Sequence, residues 1–187
     1  MKMNRMNSKN LLLGLMLAGG AFFAQAQNTQ TDTAATANTT TAVQQTQANA
    51  GVEDLKKKIE ANPKDVESMA KLATAYQEAS DWTNAIDTWK KISAILPDWA
   101  PSYYSQAYAY QSAKDDANAK IAYEKYIATV KPEEVEQNKK NLAYAYFYLA
   151  FTEQQSNKDK AKEHIAKSLQ YDPSNQDALK LSKALNS

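Results

Sequence analysis

Apolar side chains recur three and four positions apart through most of the chain, the spacing that gathers them on one side of an α-helix. Met69, Leu72, Ala73 and Tyr76 form one such face, and Ala85, Ile86, Trp89, Ile92 and Leu96 form a second. Ser80-Asp81 between them supplies turn and N-cap chemistry. The layout then returns. Tyr103, Ala107 and Tyr110 are followed by Lys114-Asp115-Asp116 and by Ala119, Tyr123, Tyr126 and Val130. A third pair has Tyr146, Leu149 and Ala150 on its first helix and Ala161, Ile165 and Leu169 on its second. Residues 52–61, with Leu55 and Ile59, and residues 175–185, with Ala178, Leu181 and Leu185, predict one further helix at each end. Lys180 and Lys183 fall on the polar side of the last. Only 4 glycines and 5 prolines occur, which disfavours a turn-rich β fold.

The prolines mark a period. Pro63 and Pro97 stand 34 residues apart, Pro132 follows after 35 and Pro173 after 41, and 34 residues is the length of a helix–turn–helix repeat. Each proline falls where a second helix should stop, because its nitrogen has no hydrogen to donate and its ring clashes with the preceding turn. Ala73 with Ala85, and Ala107 with Ala119, are small where two antiparallel helices must approach closely. The expectation is an all-α solenoid with units over residues 64–97, 98–132 and 139–173, a half-repeat in front and a cap helix behind. Terminal helices with a wet outer face are what such a stack requires.

On these positions the chain resembles the tetratricopeptide repeat family, whose units place a large residue, a leucine, a small residue and an aromatic on the first helix. A small residue, an aromatic and a closing proline follow on the second. Unit one carries Met69, Leu72, Ala73, Tyr76, Ala85, Trp89 and Pro97; unit two carries Tyr103, Ala107, Tyr110, Ala119, Tyr123 and, one residue late, Pro132; unit three carries Tyr146, Leu149, Ala150, Ala161, Ile165 and Pro173. The departures are Gln106 in place of the leucine, Glu153 in place of the third aromatic, a third loop one residue short, and about seven extra residues near 133–139. The resemblance covers residues 52–187 and implies a protein or peptide partner. The carboxylate-gripping variant of the family is not implied, since Ala70, Thr74, Ser105 and Tyr108 stand on the corresponding wall.

The first 26 residues read differently. Lys2, Arg5 and Lys9 precede an apolar stretch over residues 11–23, and Ala24-Gln25-Ala26 has the form of a signal-peptidase site. That stretch is shorter than the roughly 20 residues that span a bilayer. The expectation is a secretory signal peptide, an exported, periplasmic protein, and no stable membrane insertion after cleavage. Residues 27–50 are almost entirely Gln, Asn, Thr and Ala; a segment of that composition buries too little apolar surface to offset its ordering entropy, so a disordered linker is expected there.

Charge and chemistry narrow the function. Beyond the first ten residues 19 lysines face 21 carboxylates, and Arg5 is the single arginine. No basic stripe points to nucleic acid. With no cysteine and one histidine, His164, neither a thiolate nor a zinc site can be assembled in the usual way. His164 sits beside the core face rather than on it and reads as a surface residue without an orienting partner. Asp115-Asp116 and Glu133-Glu134 lie at turns and helix starts, where they complement the helix dipole. No phosphate loop, nucleophile elbow or dinucleotide fingerprint occurs. The sequence therefore predicts a non-catalytic scaffold with no cofactor and no metal.

In a helix-pair solenoid the first helices line the concave side. Off their core faces lie Tyr104, Tyr108 and Gln111 in unit two, Tyr144, Phe147 and Phe151 in unit three, and Gln154 beyond them. Tyrosine gives large contact area at small entropic cost, so these residues are the candidate partner-binding wall. Packing between neighbouring repeats is the competing use of the same aromatics. Two alternatives to a peptide partner are a wall that stacks sugar rings of a small ligand or glycan, and exposed helices that join identical copies into a homo-oligomer. The expected outcome for export is an intact mass that begins at Gln27; a secreted chain that retains residues 1–26 would contradict the cleavage site.

Overall fold

The computed structural model describes residues 51–187; the expected signal peptide and linker lie outside the described residues. Among these residues the chain is helical throughout. A helix over residues 51–61 (α1) is followed by α2 (Val66–Glu78), α3 (Trp82–Ile95), α4 (Ala100–Ser112), α5 (Asp116–Thr129), a 3-10 turn at Pro132–Glu134, α6 (Val135–Glu153), α7 (Lys158–Tyr171) and α8 (Gln176–Asn186). The pairs α2/α3, α4/α5 and α6/α7 pack as antiparallel hairpins, and each packs on the first helix of the next, ending with α8 on α7.

The first two hairpins turn by the same device. Ser80 and Lys114 adopt left-handed backbone, at φ 57° and 62°. The Asp81 amide then donates to the Tyr76 carbonyl at 2.8 Å and the Asp115 amide to Tyr110 at 2.9 Å. With the Ser80 and Lys114 amides also donating to the Gln77 and Gln111 carbonyls at 3.0 Å, each first helix finishes in a Schellman ending. The aspartate that completes it also opens the next helix: Asp81 accepts from the Asn84 amide, and Asp115 from Asn118, each at 3.2 Å. The third hairpin is one residue short. Its Ser156 and Asn157 amides both return to the Glu153 carbonyl, and Asn157 caps α7 through Lys160.

Packing follows the alanines. Ala73, Ala85, Ala107, Ala119, Ala150 and Ala161 are all fully buried, so each hairpin closes on paired small residues. Trp89, Tyr123 and Tyr126 fill the flanking space and are themselves fully buried. Gln106, where a leucine was expected, is buried too, and its Nε2 donates to the carbonyls of Ser102 (3.3 Å) and of Trp89 in the preceding hairpin (3.4 Å). The residues after Pro132 form the 3-10 turn and lengthen the start of α6. Buried Asn138 holds that extension down by accepting from Tyr126 Oη at 3.2 Å and donating to the Glu134 carbonyl at 2.8 Å.

Trp89 is the largest fully buried side chain, and its Nε1 donates to Gln77 Oε1 at 3.1 Å. Trp89→Ala is expected to lower the unfolding free energy by about 3–5 kcal/mol, against less than about 0.5 kcal/mol for the exposed Ile121→Ala. Chemical denaturation of both variants checks the register; equal effects would show it to be misplaced.

Candidate functional site

The candidate wall is built from α4 and α6. Tyr104 packs edge-on against Tyr123 (5.7 Å between ring centroids) and Tyr126 (5.1 Å), and Tyr108 packs edge-on against Trp82 at 6.2 Å. Gln111 joins two hairpins. Its Oε1 accepts from Tyr123 Oη at 2.9 Å, and its Nε2 donates to Tyr144 Oη at 2.8 Å. Tyr144 in turn lies 6.4 Å from Phe147, which stacks on Phe151 at 6.3 Å. Five of the six candidates are half-buried, and Phe151 is 55% exposed.

Tyr104, Tyr144, Phe147 and Phe151 join through Tyr123, whose ring lies 6.0 Å from that of Tyr144, into one aromatic run, while Tyr108 pairs with Trp82 instead; the rings are used unequally. Tyr104 is spent largely on packing between α4 and α5; burial pushes its hydroxyl far above the usual tyrosine range, with the neighbouring Tyr144 and Tyr108 adding to the effect. Gln111 and Tyr144 are tied to each other across the repeat boundary. Tyr108 keeps one face toward Trp82, and Phe151 leaves more than half its surface to solvent. Gln154 donates to the Phe151 carbonyl at 2.8 Å and closes the helix end.

A second polar cluster was not visible in the spacing. Glu153 is 2% exposed. Its carboxylate is 2.7 Å from Lys120 Nζ on α5, 3.4 Å from Lys160 Nζ and 2.8 Å from His164 Nδ1, both on α7. His164 is therefore not the unpartnered surface residue that its position suggested. It is half-buried, and its Nδ1 faces a carboxylate that fixes the ring. The expectation failed because Glu153 replaces an aromatic and turns a packing position into an ion-pair position. Burial pushes the Glu153 carboxyl up, but the Lys120 hydrogen bond and the charges of His164 and Lys120 outweigh it and hold the group below the usual glutamate range.

Nothing in this cluster forms a catalytic constellation: one histidine and one carboxylate lack a nucleophile and an oxyanion donor set. Among the described residues no group of three His, Cys, Asp or Glu side chains could hold a metal, and no helix is long and apolar enough to cross a membrane.

No family model and no curated protein sequence matches the chain. Solved structures do. The C-terminal part of a tetratricopeptide-repeat protein from Cytophaga hutchinsonii superposes with a TM-score of 0.63 at 25% identity, over 70% of this chain and 52% of that one. The chain thus spans about half the length of that relative. MamA from Desulfovibrio magneticus gives 0.60 at 16% identity, over 80% of each chain. The first tetratricopeptide domain of Spaghetti, bound to an HSP90 peptide, gives 0.51 at 20% identity, over 65% of this chain and 94% of that one. The chain has the tetratricopeptide-repeat fold.

The Glu153 cluster has a pH signature. Its folded pKa is lowered, so the stability it contributes is present above the unfolded glutamate value of about 4.3 and is lost as pH falls through the lower folded value. Glu153→Gln is expected to cost about 1.5–3 kcal/mol at pH 7. The difference from wild type should shrink below about pH 4. Urea denaturation at a series of pH values reads it; a pH-independent difference would show that the ion pairs contribute nothing.

Proposed function

We propose that the protein is a non-catalytic interaction scaffold, exported to the cell envelope, that holds a peptide segment of a protein partner on the wall formed by α4 and α6. The observation that carries the reading is the stacked pair Phe147–Phe151, which continues the internal aromatic run and then presents Phe151 to solvent. An exposed ring that continues a contiguous aromatic run, unlike a lone exposed apolar residue, is surface available to a partner. The rest of the run supports it from behind. The Gln111 hydrogen bonds and the Tyr144–Phe147 contact fix the rings before anything binds, which lowers the ordering cost of association. The neighbour from Spaghetti, which holds a peptide, makes peptide binding a reasonable use of this fold. The periplasmic assignment rests on the N-terminal sequence pattern alone.

Replacing Tyr108 and Phe151 together by serine tests the wall. Loss of a central aromatic anchor costs about 2 kcal/mol or more, so the double variant should lose its captured partner while its thermal midpoint falls only slightly. A double variant that unfolds at much lower temperature would mean that the rings serve packing between repeats. A stable one that still captures its partner would move binding to another surface. Oligosaccharide titration separates a glycan-binding use of the same rings, and light scattering over a range of concentrations separates self-assembly.

A further inference from the structure

Units two and three differ where the second helix meets the first aromatic of its unit. In unit two the Lys125 ammonium lies over the Tyr103 ring, 5.6 Å from its centroid. Lys167 is the equivalent residue of unit three, two positions after Ile165 as Lys125 is two after Tyr123. It turns to Gln170 instead, with Nζ 3.4 Å from Oε1. Ala166 also stands where unit two has the longer Glu124. An open depression of about 470 Å³ remains, lined by Tyr146 of α6 and by Glu163, His164, Ala166, Lys167 and Gln170 of α7. Small-molecule sites enclose about 300–1,000 Å³, and this depression falls within that range.

Its polar groups are held in place and left without partners. His164 Nδ1 is 2.8 Å from the buried Glu153 carboxylate, which fixes the imidazole. The opposite edge of the ring carries Nε2, which has no hydrogen-bond partner among the described residues. Tyr146 is fixed too: its ring stacks on Tyr171 at 5.9 Å and lies 5.9 Å from the imidazole. Glu163 and Lys167 are both exposed and stand four residues apart on α7, the spacing at which such residues commonly pair. Among the described residues neither makes an ion pair, so a carboxylate and an ammonium both remain available at the depression.

We infer that this depression is a binding site for a neutral sugar ring. One free carboxylate and one free ammonium sum to no net charge, which favours neither an anion nor a cation. A wholly apolar ligand would desolvate Glu163, Lys167 and His164 Nε2 and return no hydrogen bonds, a costly exchange. A pyranose satisfies both demands. Its C–H face covers Tyr146 and the Ala166 methyl, and its rim of hydroxyls meets the polar groups. Hydroxyls donate to Glu163 and, with the imidazole proton on Nδ1, to His164 Nε2; another accepts from Lys167. Because Glu153 and Tyr171 hold the lining before the sugar arrives, little ordering cost opposes binding. The site uses none of the residues of the wall proposed above and does not depend on it.

His164 is the single histidine of the chain, so its imidazole resonances report directly on the depression. The full chain is titrated by NMR with glucose, galactose, N-acetylglucosamine, maltose and lactose. At least one of these is expected to move the His164 resonances to a saturating value. Glu163→Ala should weaken that sugar about threefold or more. Ala166→Trp, placed at an exposed position, should fill the depression and abolish the shift with the thermal midpoint unchanged; if the midpoint falls, Glu163→Ala alone decides. Tyr108→Ser/Phe151→Ser should bind the sugar as wild type does, which separates this site from the wall. Three results would each overturn the site: no saturating shift with any of the five sugars, an unchanged affinity in Glu163→Ala or in folded Ala166→Trp, or an equal shift with the linear polyol sorbitol.

Discussion

Three antiparallel helix pairs close on alanine, and the rest of the structure follows from how closely they approach. With Ala73 against Ala85, Ala107 against Ala119 and Ala150 against Ala161 all fully buried, the backbones come near enough that no large side chain fits between them. Bulk is displaced to the flanks, where Trp89, Tyr123, Tyr126 and Tyr148 occupy the space between hairpins. These rings carry polar atoms, and a buried polar atom without a partner is costly. First helices supply three of the partners and the start of α5 the fourth. Gln77 accepts from Trp89, Gln111 from Tyr123, Asn138 from Tyr126 and Asp116 from Tyr148, at 3.1, 2.9, 3.2 and 2.8 Å. Close approach thus forces aromatics to the flanks, and the aromatics force a matching set of polar residues onto neighbouring turns.

The third unit breaks this pattern and solves it with charge. Ile165 stands where the earlier units have Trp89 and Tyr123, so it offers no donor, and the aromatic expected on α6 is Glu153. Lys120 reaches the carboxylate from the preceding hairpin, while Lys160 and His164 reach it from α7. Whether His164 is neutral with its proton on Nδ1 or fully protonated, that nitrogen donates to Glu153. A site fixed by packing in units one and two is fixed by ion pairs in unit three. Its contribution to stability consequently depends on pH where the others do not.

Helices, hairpins and repeat period were legible because they depend on spacing: alanines and aromatics at helical intervals, turn residues between them, and prolines beyond the second helices. The extension near 133–139 was legible as extra length on α6, though not its fastening through Asn138, which needs a tyrosine twelve residues earlier in the chain. The sequence showed which aromatics lie off the core faces of the first helices, but not what each one touches. Tyr104 and Tyr108 are the same residue type one helical turn apart, yet Tyr104 meets two tyrosines of α5 while Tyr108 meets one tryptophan of α3. What each ring touches depends on helices that the local pattern does not contain. The Glu153 cluster was hidden for the same reason, since Lys120 comes from a different hairpin.

The division of labour among the rings bears on how the proposed wall would bind. Had every aromatic been exposed, the surface would invite nonspecific association; had every one been buried, nothing would be left to bind with. Here the run is anchored at Tyr104, Tyr123 and Gln111 and grows more exposed toward Phe151. Rigidity comes from the buried end and contact area from the open end. Hydrogen bonds between Gln111, Tyr123 and Tyr144 hold the supporting rings without using a backbone group. On the proposed reading, the side chains nearest Phe151 would lose little ordering entropy to a bound peptide, and the apolar area they cover would appear more fully as affinity.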